Sequence, residues 1–227
     1  MPTNRREFLE RLGAAAVVGA LPRAAGTGDA AWYAPAAPLK TSPEDWDLKW
    51  PDALKGKAHK AVFDCTEIEN GYGVWRATIW ENQYQATMLA KPGTARTVLV
   101  LRHHAVALAL SQEFWDRYEV GKDLTAMHPI TEQPTDRNPA LLTVPDLPEP
   151  MAGFALPKFM ARGGIALACN LALQHHVNKL KATDGVTDEE AQKRVVAALV
   201  PGVILQPSGV FATVRAQQAG CVYVKAS

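Results

Sequence analysis

The sequence predicts an α/β fold with three layers, α/β/α, in which helices cover both faces of a mainly parallel five-stranded sheet. Short apolar runs alternate along the chain with longer segments of helical periodicity, which is typical of parallel strands connected by helices. One of these runs, residues 163–169, begins with two glycines and leads directly into a helical segment at 171–180. An apolar run this short, without polar alternation, favours a buried strand that is covered on both faces.

The strands and helices follow in order from residue 59. The predicted strands cover residues 59–65, 96–101, 163–169, 203–205 and 221–224. The predicted helices cover residues 71–89, 105–118, 154–161, 171–180, 187–199 and 208–219. The last two helices begin at capping residues, Thr187 and Ser208. We expect the flavodoxin-like strand order, which places the first strand between the second and the third.

The amino-terminal part of the chain predicts the cellular compartment. Residues 1–30 contain the paired arginines Arg5 and Arg6, followed by a small apolar run at 13–21, and they resemble a twin-arginine (Tat) signal peptide. The apolar run is shorter and less hydrophobic than a membrane span, so we interpret it as a removable signal and expect no membrane anchor. Export through the Tat pathway, to the periplasm or beyond, is the expected localisation.

Two further segments differ from the regular alternation. Residues 31–54 are rich in Ala and Pro and carry several aromatic residues, which favours a linker or an arm that docks onto the domain at 55–227. Residues 120–150 contain six prolines and predict a long irregular insertion. Loops of this length are usually functional lids, subunit contacts or disordered.

Composition narrows the possible partners. The 227 residues include 24 Lys and Arg against 23 Asp and Glu, and this balance does not favour nucleic acid as a partner. The GxSxG, Walker, GxGxxG and HExxH motifs are missing from the sequence, so we predict no nucleotide or other cofactor.

Cys169 is the candidate catalytic residue. It lies where the predicted third strand ends and the next helix begins. The amino terminus of a helix favours a nucleophilic thiolate. Three cysteines, an odd number for an exported protein, leave at least one thiol free or paired between chains. The alternative is that Cys169 is a small buried apolar residue.

The carboxyl edge of the predicted sheet gathers the other candidate site residues. These candidate binding residues are Asp64, Cys65, Arg102, His103, His104 and Asn170. In the flavodoxin-like order, Cys65 and Cys169 end adjacent strands about 4.8 Å apart, which is within disulfide reach if their side chains point in suitable directions; the sequence leaves open whether they pair. His103 and His104 are expected to face opposite ways, so that only one enters a shared site. Arg102 either neutralises Asp64 or holds an anionic ligand.

Three functions fit these residues. The first is a thiol site in which Cys169 is the nucleophile and Cys65 or a histidine is its partner. The second is a copper or zinc site built from Cys169, His103 or His104, and Cys65, because these metals prefer thiolate and imidazole. The third is a non-catalytic binding or assembly protein whose cysteines are packing residues.

Three segments resemble the DsrE/DsrF-like sulfur-relay family, and in particular its exported, Tat-signal-bearing members. They are residues 163–170 with their cysteine, 201–210 and 215–224. The resemblance implies an α/β/α fold, homo-oligomers of small subunits, and a cysteine after the third strand that carries sulfur as a persulfide. Cys169 matches that position. The partners it implies are further copies of the chain and a small sulfur species or a protein thiol.

Overall fold

The computed structural model describes residues 46–227. The strands are β1 (His59–Cys65), β2 (Ala95–Leu101), β3 (Ile165–Cys169), β4 (Ile204–Gln206) and β5 (Val222–Lys225). The α-helices are α1 (Tyr72–Thr87), α2 (Gln112–Arg117), α3 (Val120–Asp123), α4 (Leu156–Ala161), α5 (Asn170–Asp184), α6 (Asp188–Ala197) and α7 (Gly209–Gln218). Short 3-10 helices cover Trp50–Leu54, Glu69–Gly71, His103–Ala109 and Met151–Phe154. The predicted Tat signal and most of the predicted arm lie outside the described residues.

Within the described residues the five strands form one sheet in the order β4-β3-β2-β1-β5. Every neighbouring pair is parallel. The predicted α/β fold with a parallel five-stranded sheet is therefore confirmed. The predicted flavodoxin-like order is wrong, because β2 lies between β1 and β3.

The strand order explains how the helices divide between the two faces. The chain steps from β1 to β4 in one direction, and right-handed crossovers then place all the intervening helices on one face. Phe63, Leu99 and Ala166 belong to the core on that face, together with apolar residues of α1 to α6. The return from β4 to β5 places α7 on the other face, where Val100 and Leu167 belong to a second core.

The chain preceding β1 contributes to the second core. Trp50 and Leu54, at the two ends of the first described 3-10 helix, are both buried there. The indole Nε1 of Trp50 donates a hydrogen bond to Oε1 of Gln206, at 3.0 Å. The last residues of the predicted arm therefore pack beside α7 on this face of the sheet.

The segment after β2 differs from the single helix predicted at 105–118. A 3-10 helix, His103–Ala109, precedes α2, and the two are separated at Leu110 by an isolated bridge to Leu199. The insertion at 120–150 packs against this segment. Its buried Asn138 donates from Nδ2 to the carbonyl oxygens of Leu108 and Leu110. Part of the insertion is therefore core structure that supports the segment following β2.

No helix in the described part of the chain is both long enough and apolar enough to cross a membrane.

Candidate functional site

The sheet has a topological switch point between β3 and β4. After β3 the chain continues into α5 on one face, whereas after β4 it continues into α7 on the other. The two connections diverge, and open α/β sheets bind their ligands in the crevice that such a divergence creates at the carboxyl edge. Cys169 ends β3 and pairs with Gln206, which ends β4. The thiol therefore lies at the switch point.

Cys169 is also the amino-terminal cap of α5. Its Sγ accepts a hydrogen bond from the backbone N–H of Ala172, at 3.4 Å. The positive end of this 15-residue helix therefore faces the sulfur. Cys169 is 6% exposed. Its position at a strand-to-helix junction agrees with the sequence analysis.

Arg102, which lies next to Cys169 at the sheet edge, forms a bidentate ion pair with Asp64. Arg102 donates from Nε to Oδ1 of Asp64 at 2.7 Å and from Nη2 to Oδ2 at 2.8 Å. Tyr223 donates its hydroxyl to the same carboxylate at 3.0 Å. The pKa of Arg102 is raised, first by its hydrogen bonds to Asp64 and to a smaller extent by its proximity to Tyr223 and Cys169, while burial opposes the shift. Arg102 therefore neutralises Asp64, one of the two roles considered for it.

The register explains why Arg102 and Cys169 are neighbours. Leu101 pairs with Ala168, so the residues that follow them, Arg102 and Cys169, are next to each other at the sheet edge. Side chains alternate along a strand. Arg102 therefore has the same orientation as Val100, whose side chain lies in the core beneath α7.

The first turn of α7 closes the other side of this site. A Cβ on Gly209 would lie 2.5 Å from Cβ of Arg102, so only glycine permits this approach of the helix. Ser208 caps α7 by accepting a hydrogen bond from the N–H of Phe211 at 3.0 Å. We call Cys169 and Arg102, with the ion-pair partner Asp64 and the first turns of α5 and α7, the thiol site.

His103 and His104 form a separate group with Glu67. Nδ1 of His103 is 3.1 Å from Oε1 of Glu67, and Nδ1 of His104 is 2.6 Å from Oε2. The expectation that the two imidazoles face opposite ways is wrong, since they lie 3.9 Å apart between ring centroids and contact one carboxylate. The reason is local: β2 ends at Leu101, and His103 adopts a left-handed backbone with φ of 53° where the 3-10 helix begins.

Glu67 is a site residue that the sequence analysis missed. The signal that could have found it is its position, two residues after Cys65 ends β1, because the residues that follow parallel strands collect at one edge. We call Glu67, His103 and His104 the histidine site.

Cys65 and Asn170, two other candidate binding residues, belong to the interior. Cys65 in β1 pairs with Leu101 in β2, and Leu101 pairs with Ala168 in β3. Because β2 lies between them, about 10 Å separates the strands that carry Cys65 and Cys169. Both cysteines are free thiols; the expectation that they end adjacent strands within disulfide reach is wrong. Asn170 is buried and accepts a hydrogen bond from Gln192 of α6 at 3.4 Å.

The contact of Cys65 with Gly73 gives a direct test of its packing role. A Cβ on Gly73 would lie 2.4 Å from Sγ of Cys65. We expect Gly73→Ala to lower the free energy of unfolding by about 1–3 kcal/mol, because it overfills the core. In a Cys65→Ala background the same change should cost clearly less. Urea unfolding of the four proteins measures the difference, and an equal cost in both backgrounds would contradict this role.

The thiol site is suited to chemistry that develops negative charge on sulfur. The first turn of α5 and the guanidinium of Arg102 are positive groups that can stabilise such charge as it develops. Comparisons of the chain with protein-family models, with curated proteins and with solved structures find no match. The function is argued below from the site itself.

Proposed function

We propose that the protein carries sulfur on Cys169 as a persulfide, as an exported relative of the DsrE/DsrF-like sulfur-relay proteins. The observation that carries this proposal is the position of Cys169 at the switch point between β3 and β4, with its Sγ on the amino terminus of α5. The ion pair of Arg102 and Asp64 beside it supports the same function, because its guanidinium is a partner for an anionic sulfur species.

The environments of the other two cysteines support Cys169 as the reactive one. Burial raises the pKa of Cys65 well above its ordinary range. Burial also raises the pKa of Cys221 to about 11, although Lys60 opposes the shift. A protonated thiol is a poor nucleophile, and Cys221 is as covered as Cys169, at 7% and 6% exposure. If Cys169 reacts before Cys221, the cause must therefore be the groups around its sulfur and not a greater exposure to solvent.

The proposed step exchanges one sulfur atom without net oxidation. The thiolate of Cys169 attacks the outer sulfur of a protonated persulfide donor, R–S–SH, and this sulfur keeps its proton. A new bond forms to Sγ, the S–S bond of the donor breaks, and the donor leaves as the thiolate R–S⁻. The reverse reaction with an acceptor thiolate releases the sulfur. One negative charge is present throughout, and Arg102 and the first turns of α5 and α7 stabilise it.

Mass spectrometry of the sulfur-loaded protein tests this proposal. The reduced, folded chain is incubated with a small-molecule persulfide, trapped with an alkylating reagent and digested. We expect one added sulfur atom on the peptide with Cys169, before any on those with Cys65 or Cys221. Cys221→Ala is the matched control and should load normally, whereas Cys169→Ser should not load. Absence of loading at Cys169, or equal loading at all three cysteines, would contradict the proposal.

The proposal includes export and self-association. The paired arginines Arg5 and Arg6 before a short apolar run support export through the Tat pathway. The family resemblance supports a homo-oligomer. The edge strand β5 exposes Val222, and the neighbouring helix α7 exposes Val210 and Val214, which supplies apolar surface of the kind that subunits bury.

A further inference from the structure

We propose that the histidine site binds one borderline divalent transition-metal ion, of which Zn²⁺ is the representative, through Glu67, His103 and His104. This site is distinct from the thiol site and uses no cysteine. It also differs from the copper or zinc site considered from the sequence, whose ligands included Cys169 and Cys65.

The distances between the three side chains suit a shared metal ion. Their ligand atoms all lie within 4.8 Å of one another. Two zinc bonds of about 2.1 Å at the tetrahedral angle place their ligand atoms about 3.4 Å apart. The two imidazole nitrogens are 3.1 and 2.6 Å from the oxygens of Glu67. None of the separations between the ligand atoms therefore exceeds the value that a shared ion needs by more than about 1.4 Å.

Backbone hydrogen bonds hold the two loops that carry these side chains together. The N–H of Arg102 donates to the carbonyl of Cys65 at 3.0 Å, and the N–H of Ala105 donates to the carbonyl of Thr66 at 3.0 Å. The two donors, Arg102 and Ala105, are the residues directly before and after the two histidines in the sequence. On the Glu67 side, the hydroxyl of Ser227 accepts from the N–H groups of Thr66 and Glu67, at 2.7 and 2.9 Å. The backbone of the site is thus ordered before any ion arrives, which favours binding.

The backbone of His103 supports a binding function for this site. Its φ of 53° is in the left-handed region, which is unfavourable for a residue with a side chain. Strained residues cluster at functional sites, where the surrounding structure holds them in place. This conformation brings both imidazoles to the carboxylate of Glu67.

The chemistry of the ligand set selects the class of ion. Two imidazoles and one carboxylate suit Zn²⁺ and similar ions, whereas Ca²⁺ and Mg²⁺ prefer sites made of oxygen alone. Three protein ligands leave a coordination position open for water or a substrate. The site reaches solvent, since the side chain of Glu67 is 47% exposed.

Zinc titration of the full, chelator-treated chain tests the inference. Competition with a chromophoric chelator measures affinity, and elemental analysis after desalting measures stoichiometry. We expect one Zn²⁺ per chain, and we expect Glu67→Gln, His103→Gln and His104→Gln each to weaken binding by at least about tenfold. His59→Gln, at the opposite end of β1 from the site, is the matched control and should bind normally. Circular dichroism confirms folding, and the exposed Glu67 provides a variant that leaves the core untouched.

A second variant separates this inference from the proposed sulfur function. Cys169→Ala should bind Zn²⁺ with unchanged affinity, and Co²⁺ in the same site should show no thiolate charge-transfer absorption. Failure of the chain to bind Zn²⁺, binding that survives all three ligand substitutions, or binding lost in Cys169→Ala would each overturn the inference. None of these results depends on whether Cys169 accepts sulfur.

Discussion

Lowering the pH from 7 to 5 is expected to reduce the free energy of unfolding by about 2 kcal/mol through His176 alone. His176 lies on α5 and is 2% exposed. Its pKa falls to about 3, first because of burial and then because of the neighbouring charges of His175, Lys179 and His104. The folded protein therefore keeps this imidazole neutral. The unfolded chain takes up a proton as the pH falls below about 6.5 and becomes more stable relative to the folded state.

The sign and the pH window of this effect follow from the two pKa values. Above the ordinary value of 6.5 the imidazole is neutral in both states, so stability does not depend on it. Between that value and about 3, stability is lost by about 1.4 kcal/mol for each pH unit. The pKa of His175 is also lowered by burial, and His175 adds to the loss in the same direction.

Urea unfolding at pH 7, 6 and 5 measures the effect. The variant His176→Leu removes the titrating group and should flatten the decline with pH, whatever its stability at pH 7. Val177→Ala, at the next position of α5, is the control: it removes buried apolar surface without removing a titrating group, and its stability should decline with pH as that of the wild type does. If His176→Leu keeps the full dependence of its stability on pH, His176 is not the cause of the loss.

Arg102→Gln is expected to cost about 3 kcal/mol of folding free energy. The substitution leaves the carboxylate of Asp64, which is 3% exposed, without its charged partner. Removing one member of a buried ion pair is costly because an uncompensated charge stays in the interior. Tyr223 continues to donate one hydrogen bond to Asp64, which keeps the cost at the lower end of the usual range.

A substitution of the other member of the ion pair and a substitution in a surface ion pair serve as controls for this prediction. Asp64→Asn should cost less than Arg102→Gln, because the side chain of Arg102 is 30% exposed and can be hydrated. Arg137→Gln breaks an exposed pair with Asp146 and should cost less than about 1 kcal/mol. Thermal and urea unfolding give the three values. Equal costs for Arg102→Gln and Arg137→Gln would show that the Asp64 pair has no special role.

The parts of this structure that are predictable from sequence are those set by local patterns. The junction at Cys169 follows from a short apolar run that leads directly into a helical segment. The caps Thr187 and Ser208 each accept the expected backbone hydrogen bond, as their position before a helix predicts. The α/β class follows from the alternation of such elements along the chain.

The order of strands in a sheet is not set by local sequence patterns. The wrong expectation that Cys65 and Cys169 lie on adjacent strands follows from the wrong strand order. The flavodoxin-like order and the observed order share the same elements and differ only in the packing of crossovers across the sheet. With β2 between β1 and β3, Cys65 moves away from Cys169, and Arg102 becomes its neighbour instead. The histidine site depends on a single left-handed residue, His103, which nothing in the local pattern predicts.

The alkylation rate of Cys169 in four proteins is the most direct test of the thiol site. These are the wild type, Asp64→Asn, Arg102→Gln and the double variant, with Cys221 as the internal reference. Removing the carboxylate leaves the positive charge of Arg102 unneutralised near the sulfur that turns anionic as it reacts, and removing Arg102 takes that positive charge away. We predict that Asp64→Asn reacts fastest and Arg102→Gln slowest, differing by about tenfold or more, with the other two between them. Equal rates in all four proteins, or a Cys169 that reacts no faster than Cys221, would contradict the proposed function.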